Sequence, residues 1–228
     1  MEVQNNKGLI IDYIPKKRGG KVYAFFKRLF DICASFLGLV VLSPVLIIIS
    51  IAAVIATGGH GTYIDKRIGK NGKEIGVLKF RTMIKGANEH PEAYLNLEQQ
   101  REYEEERRVE DDPRVTKFGK FLRKTAIDEL PQLINILIGQ MSFVGPRAVT
   151  MAEVEKNFSP EQAKLLLSVR PGLTSSWRAY GKHSAYYTNG GRQRLELEYL
   201  ERRSFSRDLK IIFSTFSSVL TDKDAKRR

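Results

Sequence analysis

The dominant feature of the hydropathy pattern is a run from Leu29 to Thr57, LFDICASFLGLVVLSPVLIIISIAAVIAT, with no charged side chain between Ile32 and Ala56. At ~1.5 Å of rise per helical residue, it is long enough to reach across a ~30 Å hydrocarbon layer. Lys16, Lys17, Arg18, Lys21, Lys27 and Arg28 precede it, and Lys66, Arg67, Lys70 and Lys73 follow. A spanning helix concentrates lysine and arginine on its cytoplasmic side, so basic flanks at both ends fit a helical hairpin that enters and leaves by one face. Ser43-Pro44 lies near the middle of the run. Proline removes a backbone donor and crowds the preceding turn, while the serine hydroxyl can satisfy the freed carbonyl, which puts the break of a re-entrant helix at this pair. An ordinary span that tolerates its proline fits the same stretch. A cleaved signal peptide does not, because the run is too long and no small-residue cleavage pattern follows.

Beyond the run, Gly58-Gly59 and Gly61 mark an exit. TYIDKRIGKNGKEIGVLKFRTM then predicts a β-hairpin pairing Tyr63 to Ile68 with Ile75 to Phe80 around Asn71-Gly72. The hairpin delivers Lys79, Arg81 and Thr82 to one end of its sheet, either as a solvated basic edge or as a phosphate site. Residues Asn88 to Glu110, dense in Glu, Gln and Arg, predict a charged lid or spacer helix. Pairs between Glu104, Glu105, Glu106 and Arg107, Arg108 support it, and Asp111-Asp112-Pro113 ends it. Val115, Phe118, Phe121 and Leu122 recur at helical spacing opposite Lys117, Lys120, Arg123 and Lys124, the pattern of a basic interfacial helix. Pro131 opens a second apolar helix through Leu133, Ile134, Leu137 and Ile138. Arg170-Pro171-Gly172-Leu173-Thr174 reads as a turn, followed by Trp177 and a polar loop carrying Tyr180, Tyr186 and Tyr187. The tryptophan suits base stacking, headgroup anchoring or a core position alike. Asp208 to Leu220 is a helix with one apolar face. The expected chain is mainly α with a small β-hairpin: a basic arm over 1–26, a re-entrant membrane helix over 27–59, and a membrane-surface domain over 60–228.

Charge and cysteine content narrow the function. The 228 residues carry a net charge of +12, which suits nucleic acid or an anionic leaflet. The apolar run decides for the leaflet, where each juxtamembrane lysine or arginine contributes about 1 kcal/mol. Cys33 is the only cysteine and reads as a packing residue, while His60, His90 and His183 show no ligand spacing, so neither a disulfide framework nor a zinc or haem site is expected.

The densest chemistry is RVTKFGKFLRKTAIDELPQLINILIGQMSFVGPR. Asp128 and Glu129 fall at a helix start, where capping and the helix dipole already account for acids. Arg123 and Arg147 bracket them, the latter in a Gly-Pro turn that presents its guanidinium. A helix N-terminus with arginines makes a phosphate cradle. A carboxylate inside such a cradle is a candidate nucleophile toward phosphorus, and a second can hold a magnesium ion bridging phosphate oxygens.

In order and spacing, KRLFDICASFLGLVVLSP, RIGKNGK with KFRTM, DPRVTKFGKFLRKTAIDELPQL, MSFVGPR, RPGLT and DLKII resemble the bacterial sugar transferase family, the monotopic polyprenyl-phosphate phosphoglycosyl transferases. The match covers residues 27 to 220 in the compact form of the family. The resemblance implies transfer of a sugar-1-phosphate from a UDP-sugar to a polyprenyl phosphate such as undecaprenyl phosphate. It implies an aspartyl phosphosugar at Asp128, with UMP released and surface glycan assembly, such as capsule or exopolysaccharide, initiated. It carries the assisting acid to Glu129, Mg2+ to the Asp128–Glu129 pair, and phosphate-binding cations to Lys79, Arg123 and Arg147, beside Arg81 from the hairpin edge. The helix break at Ser43 and Pro44 is likewise the family's feature. Membrane lipids, a homo-oligomer and downstream glycosyltransferases are the further partners implied, and nucleic acid is not one. The implied location is the cytoplasmic face of a bacterial inner membrane. Ala148 stands where the family has a second proline, and SSWRAYGKH replaces a GWAQV-like run, so no sugar-specific residue is assigned. A non-catalytic basic anchor or scaffold predicts an indifferent Asp128→Asn, whereas a nucleic-acid binder predicts salt-sensitive DNA affinity.

Overall fold

The computed structural model describes residues 19–87, 89–106, 109, 111–180 and 190–221. The N-terminal arm, Tyr186, Tyr187 and the Glu–Arg pairs expected around residues 107 and 108 lie outside these. Helix α1, Lys21–Thr57, starts six residues ahead of the expected boundary and runs through Pro44 without interruption. Proline 44 lacks the N–H that would bond the Val40 carbonyl, and Ser43 Oγ donates to that same carbonyl at 2.9 Å. The helix is long and apolar enough to cross a membrane, and only 6% of its apolar window is buried. Phe36, Leu37, Val41, Ile48 and Ile55 are all more than half exposed. Cys33 is exposed with them, not packed, because the side of α1 on which it lies is not covered by the described protein.

The described residues form two compact units. The first takes the chain up to Leu39, Asp65–Val77 and Gln132–Leu220; the second takes Val40–Ile64 and Leu78–Pro131. Helix α1 passes from one to the other between Leu39 and Val40, just ahead of Ser43-Pro44. The hairpin also contributes to both. Its strands, β1 (Thr62–Ile68) and β2 (Glu74–Phe80), pair as expected, joined by a 3-10 turn over Lys70–Gly72 in which Asn71 and Gly72 both take positive φ.

In the first unit, helices α5 (Met151–Asn157), α6 (Pro160–Leu166), α8 (Gly191–Glu201) and α9 (Phe205–Thr221) surround a core of Val144, Val154, Phe158, Leu166, Leu197, Leu200 and Ile211. Capping boxes, Thr150 with Glu153 and Ser159 with Gln162, start α5 and α6. The RPGLT segment is not a plain turn. It forms β4 (Gly172–Thr174), paired parallel to β3 (Ser142–Val144) with Ser142 opposite Gly172 and Val144 opposite Thr174. Glycine is required at 145 and 172 because the two backbones approach so closely that a Cβ on either would collide with the other. Trp177 sits half-buried on a short helix, α7 (Ser176–Tyr180), which also takes in Tyr180 from the expected loop. The apolar helix after Pro131 is α4 (Gln132–Leu137). Its last carbonyls accept from Arg28, at 2.6 Å to Ile136 and 2.8 Å to Leu137, which closes the helix end that has no intrahelical donors. Asp208 of α9 is buried and accepts from Lys27 at 2.7 Å, Tyr23 at 2.8 Å and Tyr199 at 2.9 Å.

In the second unit the expected helix over 88–110 shrinks to α2 (Leu97–Glu106), preceded by a 3-10 turn at Pro91–Ala93. The segment is not uniformly solvated: Ala87, Leu95 and Val109 are buried, so it is pinned at intervals. Arg114, 1% exposed, forks onto Asp112 through Nε at 2.9 Å and Nη2 at 2.7 Å, and its guanidinium lies 4.6 Å from the Tyr103 ring centre. Thr116 caps α3 (Lys117–Thr125) by accepting from the Gly119 N–H at 2.9 Å.

Candidate active site

Lys79, Arg81, Arg123, Asp128 and Glu129 all belong to the second unit. The end of β2 brings Lys79 in half-buried, followed by the buried Phe80, then Arg81 and the buried Thr82. Arg81 donates from Nε to the His60 carbonyl at 3.0 Å and lies over the Tyr63 ring at 5.9 Å, so one of its five donors is spent tying the strand to the chain that follows α1. Thr82 organises its surroundings in two directions. Its carbonyl accepts from the Thr116 N–H at 3.0 Å, and its hydroxyl accepts from Arg123 Nε at 2.9 Å. Gly119 is required here, because a Cβ would run into the Thr82 carbonyl. The basic helix α3 is thus seated on the end of the hairpin with Arg123 fixed by a buried hydroxyl.

Ala126, at φ 56°, ends α3. Asp128 and Glu129 then stand on a 3-10 turn, Ile127–Glu129, both half-buried. The expectation that they open the next helix is corrected. The turn closes on itself, with the Glu129 and Leu130 N–H groups bonded to the carbonyls of Ala126 at 3.3 Å and Ile127 at 3.1 Å, and α4 begins only at Gln132. Two hard oxygen donors on one turn suit Mg2+, which is held by one or two carboxylates and completes its octahedron with water and substrate phosphate. Among the described residues no three His, Cys, Asp or Glu side chains gather into a fuller metal cage.

Arg147 belongs to the first unit, exposed on the turn after β3. Its backbone is fixed by a parallel bridge to Gly172, whose N–H donates to the Pro146 carbonyl at 2.8 Å. Around it lies a charged cluster that the sequence pattern did not single out. Glu153 accepts from Arg67 at 3.1 Å and faces Arg192 at 3.7 Å. Burial pushes this carboxyl up, but the Thr150 N–H and the Arg192, Arg67 and Arg147 charges outweigh burial and hold it below its ordinary value. Glu196 behaves oppositely. It is 3% exposed, neither carboxyl oxygen meets a donor in hydrogen-bond geometry, and burial pushes it up to about 7. Ser175, Arg192 and the N–H and charge of Arg147 draw it back without cancelling that rise. The signal for Glu196 was its place between Leu195 and Leu197, with Tyr199 and Leu200 beyond, all four of them buried.

The bacterial sugar transferase profile matches residues 22–222 of the chain. The exopolysaccharide production protein ExoY of Rhizobium meliloti is 37% identical over 211 residues, covering 91% of this chain and 92% of ExoY. The undecaprenyl-phosphate galactose phosphotransferase of Salmonella typhimurium is 34% identical over 198 residues, and the UDP-glucose:undecaprenyl-phosphate glucose-1-phosphate transferase of Klebsiella pneumoniae 37% over 206. These two cover 86% and 88% of this chain, which spans only 40% and 41% of their own lengths. With a profile match along nearly its whole length and a relative of matching size, the chain belongs to the bacterial sugar transferase family.

Proposed function

We propose that the chain transfers a sugar-1-phosphate from a UDP-sugar to a polyprenyl phosphate through a covalent intermediate on Asp128. The observation that carries the reading is the half-buried Asp128–Glu129 turn immediately after a basic helix whose Arg123 is fixed on Thr82. The named substrates of the Salmonella and Klebsiella relatives supply the substrate classes. In the first step an Asp128 carboxylate oxygen attacks the sugar-bearing phosphorus; a P–O bond forms as the diphosphate P–O bond breaks, and UMP leaves with the electron pair. In the second, a phosphate oxygen of the polyprenyl phosphate attacks the same phosphorus and the carboxylate is released. Arg123, Lys79 and Arg81 offset the repulsion between an anionic nucleophile and anionic substrates, and the family resemblance gives Arg147 the role of a phosphate-binding cation. Asp128 and Glu129 would hold Mg2+, which supplies charge neutralisation at phosphate oxygens. Helix α1, bending at Ser43-Pro44, would enter and leave on the cytoplasmic face of the inner membrane, keeping the transfer at headgroup depth where soluble and lipid substrates meet.

The test is the intact mass of the purified chain after incubation with Mg2+ and a panel of UDP-sugars, without lipid acceptor. Wild type gains a sugar-phosphate adduct and releases UMP, whereas Asp128→Asn does neither. UMP release by Asp128→Asn at the wild-type rate refutes the covalent route, and equal inertness of both chains toward every donor favours a non-catalytic anchor.

A further inference from the structure

A cavity of about 220 Å³ opens in the first unit beside the opening turns of α1. Six cationic side chains line it: Lys21, Lys27 and Arg28 from α1, Lys70 from the hairpin turn, Arg170 ahead of β4, and Arg203 between α8 and α9. Asp31 is the one acidic residue among the described lining groups, and it is turned toward the Ser142 hydroxyl at 3.1 Å and the Phe143 N–H at 3.0 Å. Lys27 is neutralised by Asp208 at 2.7 Å. Arg28 and Arg170 are oriented by neutral carbonyls, the latter by Gly139 at 2.6 Å, so both keep their full charge. Their Nη2 atoms converge on Gly139, where an added Cβ would lie 3.2 Å from one and 3.9 Å from the other. Arg203 lies 5.6 Å from the Tyr23 ring centre. Lys21 and Lys70 are exposed and have no hydrogen-bond or ion-pair partner among the described residues.

With Lys27 and Arg203 set aside because each has a partner of its own, four cations face a single carboxylate around a small volume. Like charges gathered this closely repel one another, and an anion between them turns that repulsion into attraction. The volume falls below the ~300–1,000 Å³ of ordinary small-molecule sites, which leaves room for a phosphate with a short polar substituent but not for a nucleotide sugar. Position narrows the ligand further. Phe25, Phe26 and Leu29 are exposed on the other side of the same turns, and Lys21 stands at the seam between that apolar face and the cavity. A cationic pocket beside an apolar helix face is what recognises lipid headgroups.

We propose that this cavity binds a phosphate group, carried by an anionic lipid headgroup or by a small soluble phosphate ester, with Lys21 and Lys70 supplying its two uncommitted cations. The site contains neither Asp128 nor Glu129 and takes no part in the transfer chemistry.

The test is calorimetric titration of the full chain in a neutral detergent with short-chain phosphatidylglycerol, short-chain phosphatidylcholine and glycerol 1-phosphate. Saturable binding of an anionic probe is expected, weakened about tenfold or more in Lys21→Gln/Lys70→Gln and retained in Lys21→Arg/Lys70→Arg. Phosphatidylglycerol binding without glycerol 1-phosphate binding identifies a lipid source; comparable binding of both identifies a soluble ester. The proposal is overturned if neither anionic probe saturates, if phosphatidylcholine binds as tightly as phosphatidylglycerol, or if the glutamine double variant keeps wild-type affinity. Because both lysines are exposed and unpartnered, their replacement leaves the fold intact, which an unchanged melting temperature verifies.

Discussion

Replacing Glu196 by glutamine should stabilise the chain in alkaline solution and leave it nearly unchanged in acid. The carboxyl titrates at 4.5 when unhindered, and burial moves it to about 7 in the fold. Below the lower value both folded and unfolded chains hold the proton, and the group contributes no pH dependence. Between the two values the folded chain keeps a proton that the unfolded chain has lost, so stability falls as pH rises. Above about pH 7 the folded chain must carry a buried carboxylate with no hydrogen-bond partner. A shift of this size, at about 1.4 kcal/mol per unit, removes about 3 kcal/mol of stability across the window. The amide of Glu196→Gln cannot ionise and escapes that loss, less the smaller cost of leaving its own groups unpaired. Denaturant unfolding of the detergent-solubilised chain from about pH 5 to about pH 8 measures both curves, which should converge in acid and separate by up to about 3 kcal/mol in base. A gap that does not change with pH would show that Glu196 is already ionised within the fold and that Arg147 and Arg192 outweigh its burial.

Two further outcomes follow from buried or fixed arginines. Arg114→Ala strands the Asp112 carboxylate in the interior and should cost about 3–5 kcal/mol in denaturant unfolding, while Asp112→Ala/Arg114→Ala, which leaves no unpaired charge, should recover part of the loss. Thr82→Val removes the acceptor for Arg123 Nε and should cost only about 1 kcal/mol of stability. On the proposed chemistry it lowers kcat/KM for UMP release by about tenfold, with Thr82→Ser restoring it; wild-type kcat/KM in Thr82→Val would remove Arg123 from the site.

Features held by local rules were legible in the sequence. The hairpin was fixed by Asn71-Gly72, two positions that accept positive φ, between alternating runs, and its observed strands differ from the expected ones by a residue at their starts. Helix α3 followed from its apolar spacing, and the structure adds Thr116, whose hydroxyl caps it. What remained hidden depends on long-range pairing. The β3–β4 ladder joins residues some thirty positions apart in three-residue strands, too short for any periodicity to register. The charges that meet around Arg147 come from Arg67, Glu153, Arg192 and Glu196, which no spacing rule groups together. Asp112 was read as part of a helix stop, yet its carboxylate is the buried partner of Arg114, because a forked guanidinium makes an acid followed by proline worth burying.

Ser43-Pro44 shows how a correct local inference can leave the larger geometry open. The pair predicts a freed carbonyl and a hydroxyl to satisfy it, and Ser43 Oγ does bond the Val40 carbonyl that Pro44 cannot reach. That substitution is also why the helix persists through the proline: with the acceptor satisfied, the missing N–H costs less, and regular helix resumes on both sides. A bend at this point therefore needs a cause beyond the lost hydrogen bond. The proline ring crowding the preceding turn is one such cause. Packing against α1 is a second, with Leu133 seated at Gly38 and Gly61 seated at Ser50. On the proposed re-entrant topology, cysteine probes near residues 10 and 65 are both labelled from the cytoplasmic side; if the ring alone sets the path, in Pro44→Ala they should end on opposite sides. If packing sets it, labelling stays on one side even without the proline.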